Sequence, residues 1–355
     1  MKKIKNIYLS TAEPGSGKTE IGLGLGMVLK EKGYKVAYFK PFGIPKGKSH
    51  VDPEVDIIAE IFELDKDIMC PSFIERLYFE TLVKDKGGSL KKKIVDAYNK
   101  LNESHDVVII EGIGKANQLI SFDLDDTKLS QELENCKILA VNSLDYDIDV
   151  DDAIAHKNLI DQRGGTMIGC IFNKVPKIMA ERLQQDLSDF FKEKGINVLG
   201  IVPREEKLAA PTIGEIKDSL NGKLLDEDEG DYDFEALVER VLVGAMSAQS
   251  ALSYFRKSMN TVVITGGDRA DIVLSALQTN VTGIILTGNL FPDLTVISAA
   301  KEKNVPLILV PYDTYTTTSM VENTVADIQL HEAEICKELV EKHVDVDALL
   351  DAFTQ

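Results

Sequence analysis

"TAEPGSGKTE", residues 11–20, follows the apolar run "IYLS" (7–10) and opens into "EIGLGLGMVLKEKG" (20–33). A loop that closes on a phosphate needs a strand to aim it and glycines that let backbone N–H groups approach. It also needs a lysine for the β- and γ-phosphates and a serine or threonine hydroxyl for magnesium. Gly15, Ser16, Gly17, Lys18 and Thr19 meet those needs in order, and Glu20 carries the run into a helix. Ala12 departs from the consensus, which has glycine there, but a small Cβ is tolerated where φ is negative. The bland alternative is a glycine-rich turn that merely starts a helix; a strand before and a helix after favour the phosphate loop.

The 355 residues suggest two domains of about 100 to 200 residues each. With 44% hydrophobic and 28% charged residues, the composition is that of an ordinary globular protein. Acidic residues outnumber basic ones 58 to 40, and the net charge of −18 repels phosphate backbones and anionic headgroups, so neither nucleic acid nor membrane is an expected partner. The N-terminus, "MKKIKNIYLSTAEPG", has too short and polar an apolar stretch for a signal peptide, and no run reaches the roughly 18 apolar residues of a membrane span. Cys70, Cys136, Cys170 and Cys336 form no C-x-x-C pair, and the five histidines have no zinc-site spacing. The expectation is a cytoplasmic protein with reduced core thiols and no zinc.

Outward from the loop, "IKNIYLS", "KVAYF", "DVVIIEG", "KILAVNS", "MIGCIFN" and "NVLGIVP" read as buried parallel strands, separated by stretches with apolar residues at helical spacing. After Pro203 the rhythm changes. An acidic loop, "KLLDEDEGDYDFE" (223–235), and a long amphipathic stretch, "FEALVERVLVGAMSAQSALSYF", lead into a second series of strands and helices from "TVVITGG" to "TYTTTSMVEN"; "ICKELVEKHVDVDALLDAF" reads as a packed helical tail. The chain is therefore expected to be α/β, with a phosphate-loop parallel-sheet domain over 1–203 and a smaller α/β domain over 204–355.

Other candidates cluster at strand ends. In a parallel sheet the carboxyl tips face the ligand crevice, so Glu111 in "VVIIEGIG" (107–114) is placed to hold magnesium beside Thr19, or else only caps a turn. "AYFKPFG" fixes Lys40 at another tip, within reach of a bound anion. "VDPEVDIIAEIF" offers Asp52, Glu54 and Asp56 at a helix start, where a metal role and simple dipole compensation are equally served.

"EPGSGKT", "FKPFG", "VVIIEGIG", "GTMIGCIFNKVP" and "VLGIVP" together resemble the dethiobiotin synthetase-like group of P-loop proteins, and within it the N-terminal domain of long bacterial phosphotransacetylases. "VVITGGDRADIVLSALQTNVTGIILTGNLFPD" with "YDTYTTTSMVE" is similar to the DRTGG domain that follows in those enzymes. The resemblance implies ATP and Mg²⁺ as cofactors. It places Lys18 and Thr19 at the phosphate and Mg²⁺ positions, Glu54 and Glu111 with Thr19 on the metal, and Asn173 and Pro203 near the adenine, and with Gly15, Ser16, Gly17 and Glu20 of the loop these make up the expected cofactor-binding residues. Lys18 and Lys40 become the catalytic candidates, Lys40 matching the lysine that meets substrate in dethiobiotin synthetase. Glu54 departs from the family's usual aspartate.

No acetyltransferase segment follows within these residues, so phosphotransacetylase activity is not expected of this polypeptide, and Cys336 lacks the strand-turn-helix setting of a nucleophile. Two classes remain. One is a nucleotide-sensing regulatory module, with slow ATP hydrolysis and a link to acyl-phosphate and acetyl-CoA metabolism. The other is an ATP-dependent ligase that activates a carboxylate or carbamate. The short loop "GIPKGKSH" shows no dedicated substrate pocket, which favours the first, although Lys46 and Lys48 would attract an anionic small molecule. In "TGGDRADI", a glycine turn, Asp268 as an expected N-cap and Asp271 in the first turn explain the stretch structurally, while Arg269, a cation at a helix N-terminus, is equally accounted for by an anion or an acidic partner group. The resemblance implies an interface there, and a homo-oligomer formed through the DRTGG domain.

Overall fold

The six apolar runs become the six strands of one parallel sheet: β1 (Asn6–Ser10), β2 (Val36–Phe39), β3 (Val107–Glu111), β4 (Cys136–Ser143), β5 (Met167–Val175) and β6 (Val198–Pro203), in the order β2-β3-β1-β4-β5-β6. The computed structural model describes residues 6–45, 52–74, 78–205, 208, 210–225, 232–322, 324 and 328–354, without the side chains of 181–185 and 354. Lys46, Lys48 and the centre of the acidic loop, 226–231, lie outside the described residues.

The strand order reverses at β1, since the chain leaves it for β2 and β3 on one side and resumes with β4 on the other. Such a reversal opens a crevice at the carboxyl ends of the strands. The loop at 11–17 leaves β1 there and enters α1 (Lys18–Glu31). Apolar side chains fill both faces. Ile94, Tyr98 and Leu101 of the helix Gly88–Ser104 pack with Val108 and Ile110 of β3 in one cluster, while Phe172 and Phe191 stack at 4.6 Å in another.

The chain divides into two units, one running to Glu205 and resuming at Ile328, the other spanning Glu206–Asp327. The expected boundary near 203 is close to the first junction, but the expected second domain of 204–355 is not one body. Its last helices, Ala333–His343 and Val346–Thr354, pack on the first unit. The physical reason sits in α1. Glycine costs about 1 kcal/mol in a helix relative to alanine, yet a Cβ on Gly24 would lie 2.3 Å from the backbone oxygen of Cys336. The glycine is the space into which the tail helix settles. Lys337 Nζ then reaches Glu31 at 2.7 Å, Lys32 Nζ reaches Asp347 at 2.9 Å, and Asp345 N–H donates to Leu199 O at 2.8 Å.

The second unit has a five-stranded sheet in the order β7-β11-β10-β9-β8. β8 (Arg240–Val243), β9 (Thr261–Gly266), β10 (Val281–Thr287) and β11 (Leu307–Leu309) run parallel, and β7 (Lys223–Leu224) pairs antiparallel on β11. The long amphipathic stretch at 234–255 is thus a strand and a helix, Ala248–Phe255, broken at Gly244, whose N–H donates to Ile264 O at 2.8 Å. "RVLV" carries two β-branched valines, with Val241 and Leu242 half-buried at a sheet edge, where strand pairing outweighs helical spacing. Apolar clusters cover both faces of this sheet.

A candidate nucleotide site at the strand reversal

Gly17, the residue before α1, has φ 85° and ψ 33°, and a Cβ there would lie 2.1 Å from Asn173 Nδ2. Handedness and space both require glycine. No side chain caps α1, so the N–H groups of its first turn stay open at the positive end of the helix dipole. Beside them Ser16 is buried, and its Oγ has no hydrogen-bond partner among the described residues. A buried hydroxyl left unpaired costs about 1–3 kcal/mol, which a phosphate oxygen would recover. Lys18 is buried with its Nζ donating to Gly114 O at 3.4 Å; burial pushes its pKa down, against the pull of Asp126 and Glu111. An open helix start, an orphaned hydroxyl and a desolvated ammonium fit a phosphate group.

Next to Lys18 the expected metal residues converge. Thr19 Oγ1 lies 3.1 Å from both Glu54 Oε2 and Glu111 Oε1. Lys40 is buried in the same cluster, 2.5 Å from Glu54 Oε2, 2.9 Å from Asp52 Oδ2 and 3.5 Å from Glu111 Oε1. Burial opposes the charge on Lys40, but Glu111, Glu54 and Asp52 together outweigh it and hold the ammonium well above its ordinary range. Glu111 is pushed up by burial and by Glu54, although Lys40, Lys18 and the Tyr38 hydroxyl, which donates to Glu111 Oε2 at 2.6 Å, all favour its charged form. Asp52 also accepts from the Ile44 and Glu54 N–H groups at 2.9 and 3.1 Å, which ties the start of α2 (Glu54–Phe62) to the cluster. A hydroxyl and several carboxylates around one point are hard oxygen donors, as magnesium requires, and Thr19, Glu54 and Glu111 could hold it.

Asn173 and Glu20 meet at the loop. Asn173 Nδ2 donates to Ser16 O at 3.0 Å and to Glu20 Oε2 at 3.1 Å, while Lys174 Nζ donates to Gly15 O at 2.9 Å and pairs with Glu20 Oε1 at 3.1 Å. Pro203 stands apart, paired in register with Val175 at the end of β6. Asp268 and Arg269 lie in the second unit. Arg269, not Asp268, is the N-cap residue of the helix Ala270–Ala276, and no side chain caps that helix. The Arg269 guanidinium donates to Asp271 at 3.0 and 3.2 Å and to Met246 O at 3.0 Å, so the acidic group that this cation calls for is supplied two residues along the same chain.

Sequence reasoning missed Tyr38 and Lys174 as parts of this site. The tyrosine sits inside the apolar run "VAYF", where nothing distinguishes a working hydroxyl from core. Lys174 follows Asn173 in "FNKVP", and its φ of 58° turns the side chain to the loop, a conformation no residue type there announces. All four cysteines are free thiols, and among the described residues no helix is long and apolar enough to cross a membrane.

Comparison with known proteins matches the AAA domain family to residues 5–212 and the DRTGG domain to residues 215–324. The chain is 27% identical over 336 residues to the phosphate acetyltransferase of Synechocystis sp., covering 89% of this chain and 47% of that protein. It is 26% identical over 367 residues to the phosphate acetyltransferase of Nitratidesulfovibrio vulgaris, covering 97% and 51%. The chain thus spans about half the length of the curated relatives it matches. Among solved structures, MinD of Pyrococcus horikoshii complexed with Mg-ADP aligns at 17% identity and TM-score 0.36, covering 57% of this chain and 83% of that one. The CBS and DRTGG domains of the Clostridium perfringens pyrophosphatase regulatory region, complexed with diadenosine tetraphosphate, align at 17% identity and TM-score 0.29, covering 48% and 86%. The chain belongs to the AAA domain family, in its dethiobiotin synthetase-like P-loop form, and carries a DRTGG domain after it.

Proposed function

We propose that this protein binds ATP with magnesium as a nucleotide-sensing regulatory module, with at most slow hydrolysis, and that it serves acyl-phosphate and acetyl-CoA metabolism. The observation that carries this reading is the state of Lys40. In the ligase reading, which follows the resemblance to dethiobiotin synthetase, Lys40 would meet the carboxylate of a second substrate. Its ammonium is instead buried within 3.5 Å of Asp52, Glu54 and Glu111, and an incoming anion would meet those carboxylates first. The cluster suits a cation. Thr19, Glu54 and Glu111 would hold magnesium, which would supply positive charge beside the β- and γ-phosphates. Lys18 and the open N–H groups of α1 would bind the phosphates, and Ser16 would donate to one of their oxygens.

The link to acetyl-CoA metabolism rests on similarity to phosphate acetyltransferases and on nothing in the site. The second unit is the part proposed to pair with another copy. Calorimetric titration with Mg-ATP and Mg-ADP, followed by phosphate release with and without a panel of carboxylic acids, tests the reading. Binding with little release, unchanged by any acid, is expected. Absence of binding at millimolar nucleotide overturns it, and release that depends on one acid replaces it with the ligase.

A further inference from the structure

Beneath the phosphate loop lies a buried polar chain that the proposed function does not use. Ser10 ends β1 and Asn142 belongs to β4, while Asp126 and His156 come from the helices Asp126–Glu132 and Ile148–Gln162; all four are buried. Ser10 Oγ lies 2.7 Å from Asp126 Oδ2 and 3.0 Å from His156 Nε2. His156 Nδ1 lies 3.2 Å from Asn142 Oδ1, and the Ala12 N–H donates to that same oxygen at 2.9 Å. Tyr8 Oη donates to the other Asp126 oxygen at 3.2 Å. Ala12 is the position at which the loop departs from the glycine consensus, and its backbone is held from below by a side-chain amide.

The donors and acceptors of this chain can be counted. A backbone N–H only donates, so the Asn142 oxygen must face Ala12, and His156 Nδ1, which faces that oxygen too, must carry a hydrogen. Two arrangements then satisfy Ser10. With a neutral imidazole, Nε2 is bare and takes the Ser10 proton, so Ser10 Oγ must accept from a protonated Asp126 Oδ2. With an imidazolium, Nε2 donates to Ser10, and Ser10 donates to the Asp126 carboxylate. Both contain one proton beyond a neutral histidine and an ionised aspartate; without it, Ser10 has one hydrogen for two acceptors. Burial favours the uncharged arrangement. It pushes Asp126 up to about 7, with Asp125 adding to the rise and Lys18, Ser10 and Tyr8 opposing it. It pushes His156 down to about 4, and Lys18 adds to that fall.

We propose that Ser10, Asp126, His156 and Asn142 hold one proton between them as positioning residues of the phosphate loop, anchoring Ala12 through Asn142 and keeping Asp126 uncharged, so that the charge of Lys18 is left for a phosphate. The second half of this rests on the nucleotide reading above; the first half does not.

The tests separate the two. In the full chain, ¹⁵N shifts of the His156 ring are expected to show a neutral Nδ1–H tautomer from pH 5 to 8. A Nε2–H tautomer, or titration near the ordinary histidine value, overturns the shared proton whether or not nucleotide binds. Asn142→Leu is expected to speed hydrogen exchange of the Ala12 amide by about tenfold, the worth of one hydrogen bond, and to weaken ADP binding by a similar factor. Unchanged exchange overturns the anchor. Asp126→Asn reproduces the protonated acid, donating to Ser10 and accepting from Tyr8, and is expected to bind ADP within about twofold of the wild type. A loss as large as that of Asn142→Leu would mean that Asp126 acts as an anion, and would overturn the proposal. If the wild type itself fails to bind ADP, the functional reading falls while the histidine tautomer and the amide exchange still decide the buried chain.

Discussion

Two strand-to-helix turns in this molecule begin alike and end differently. In the first unit β1 passes through Gly15 and Gly17 into a helix of 14 residues; in the second, β9 passes through Gly266 and Gly267 into a helix of 7. Neither helix has a side-chain cap, and each turn carries one cation near the helix start. The cations are used in opposite ways. Lys18 is buried and makes no ion pair among the described residues, its one hydrogen bond being 3.4 Å to a carbonyl oxygen. The Arg269 side chain is 37% exposed and satisfied within its own turn by Asp271 and the Met246 carbonyl. A glycine turn at a strand end is therefore not enough to make an anion site. What fits one is a cation held dry with a single long hydrogen bond beside a hydroxyl with no partner among the described residues, a costly state that a ligand can relieve.

The largest effect tests that contrast at Lys18. Lys18→Ala is expected to weaken ATP binding by about a hundredfold, the upper range for hydrogen bonds to a charged group. Melting temperature is expected not to fall, because burial already disfavours the ammonium in the folded protein. Titration calorimetry beside a thermal melt decides it, and equal affinity in the two proteins would erase the distinction between the turns.

Much of this was legible in the sequence, and the limits are physical. All six strands of the first sheet, and Gly15, Ser16, Gly17, Lys18, Thr19, Lys40 and Glu111 as neighbours, follow from strand-end logic and a loop with strict steric needs, whereas Glu54 stood at a helix start where dipole compensation served as well. Arg269 misled because sequence shows a cation at a helix start but not that Asp271 folds back on it. The tail misled for another reason. The pattern of "ICKELVEK" shows which face is apolar without naming its partner, and that partner, α1, is some three hundred residues upstream, with Glu31 and Lys337 separated by 306 positions. Only the glycine at 24 hints at a close approach, and a helix that tolerates glycine for other reasons looks the same. Asp126 and His156 were invisible because each is an ordinary helix residue until the fold brings both to Ser10.

The next effect in size concerns what holds the longer helix in place. Gly24→Val would set side-chain atoms against the Cys336 carbonyl, a backbone group that cannot swing away. A loss of about 1–3 kcal/mol is expected, the range for overpacking a tight contact. It should be read by denaturant unfolding followed on the first unit. A variant as stable as the wild type would mean that the tail is not seated on α1.

A smaller effect separates the buried chain under the first turn from the exposed pair at the second. Burial pushes His156 down to about 4 from the ordinary histidine value of 6.5, so the unfolded state binds more protons between those pH values and the histidine makes stability rise with pH there. Burial pushes Asp126 up to about 7 from the ordinary 3.8, so the folded state binds more protons and stability falls with pH over about 4 to 7. The two slopes oppose each other across pH 4 to 6.5, because burial pushes both groups toward their uncharged forms. Asp126→Asn removes one of them. Its stability relative to the wild type is expected to rise between pH 4.5 and 6.5, and a pH-independent difference would count against the pairing of the two groups.

The smallest effect belongs to Arg269. Its ion pair with Asp271 is exposed on both sides, with side chains 37% and 53% accessible, and solvent screening leaves pairs of that kind little effect on stability. Asp271 is held below the usual carboxylate range first by its hydrogen bond to Arg269, so Arg269→Ala should raise the Asp271 pKa toward its ordinary value. Little else should change: stability should stay within about 0.5 kcal/mol, as for most surface substitutions. If a second copy pairs through this unit, the guanidinium has no spare charge to bring to it, because two of its hydrogen bonds go to a carboxylate in its own turn and a third to a carbonyl oxygen. Sedimentation of the full chain is therefore expected to be the same for wild type and Arg269→Ala. A variant that dissociates would show that the pair with Asp271 is exchanged for a partner's carboxylate on assembly, and the second turn would then be an interface after all.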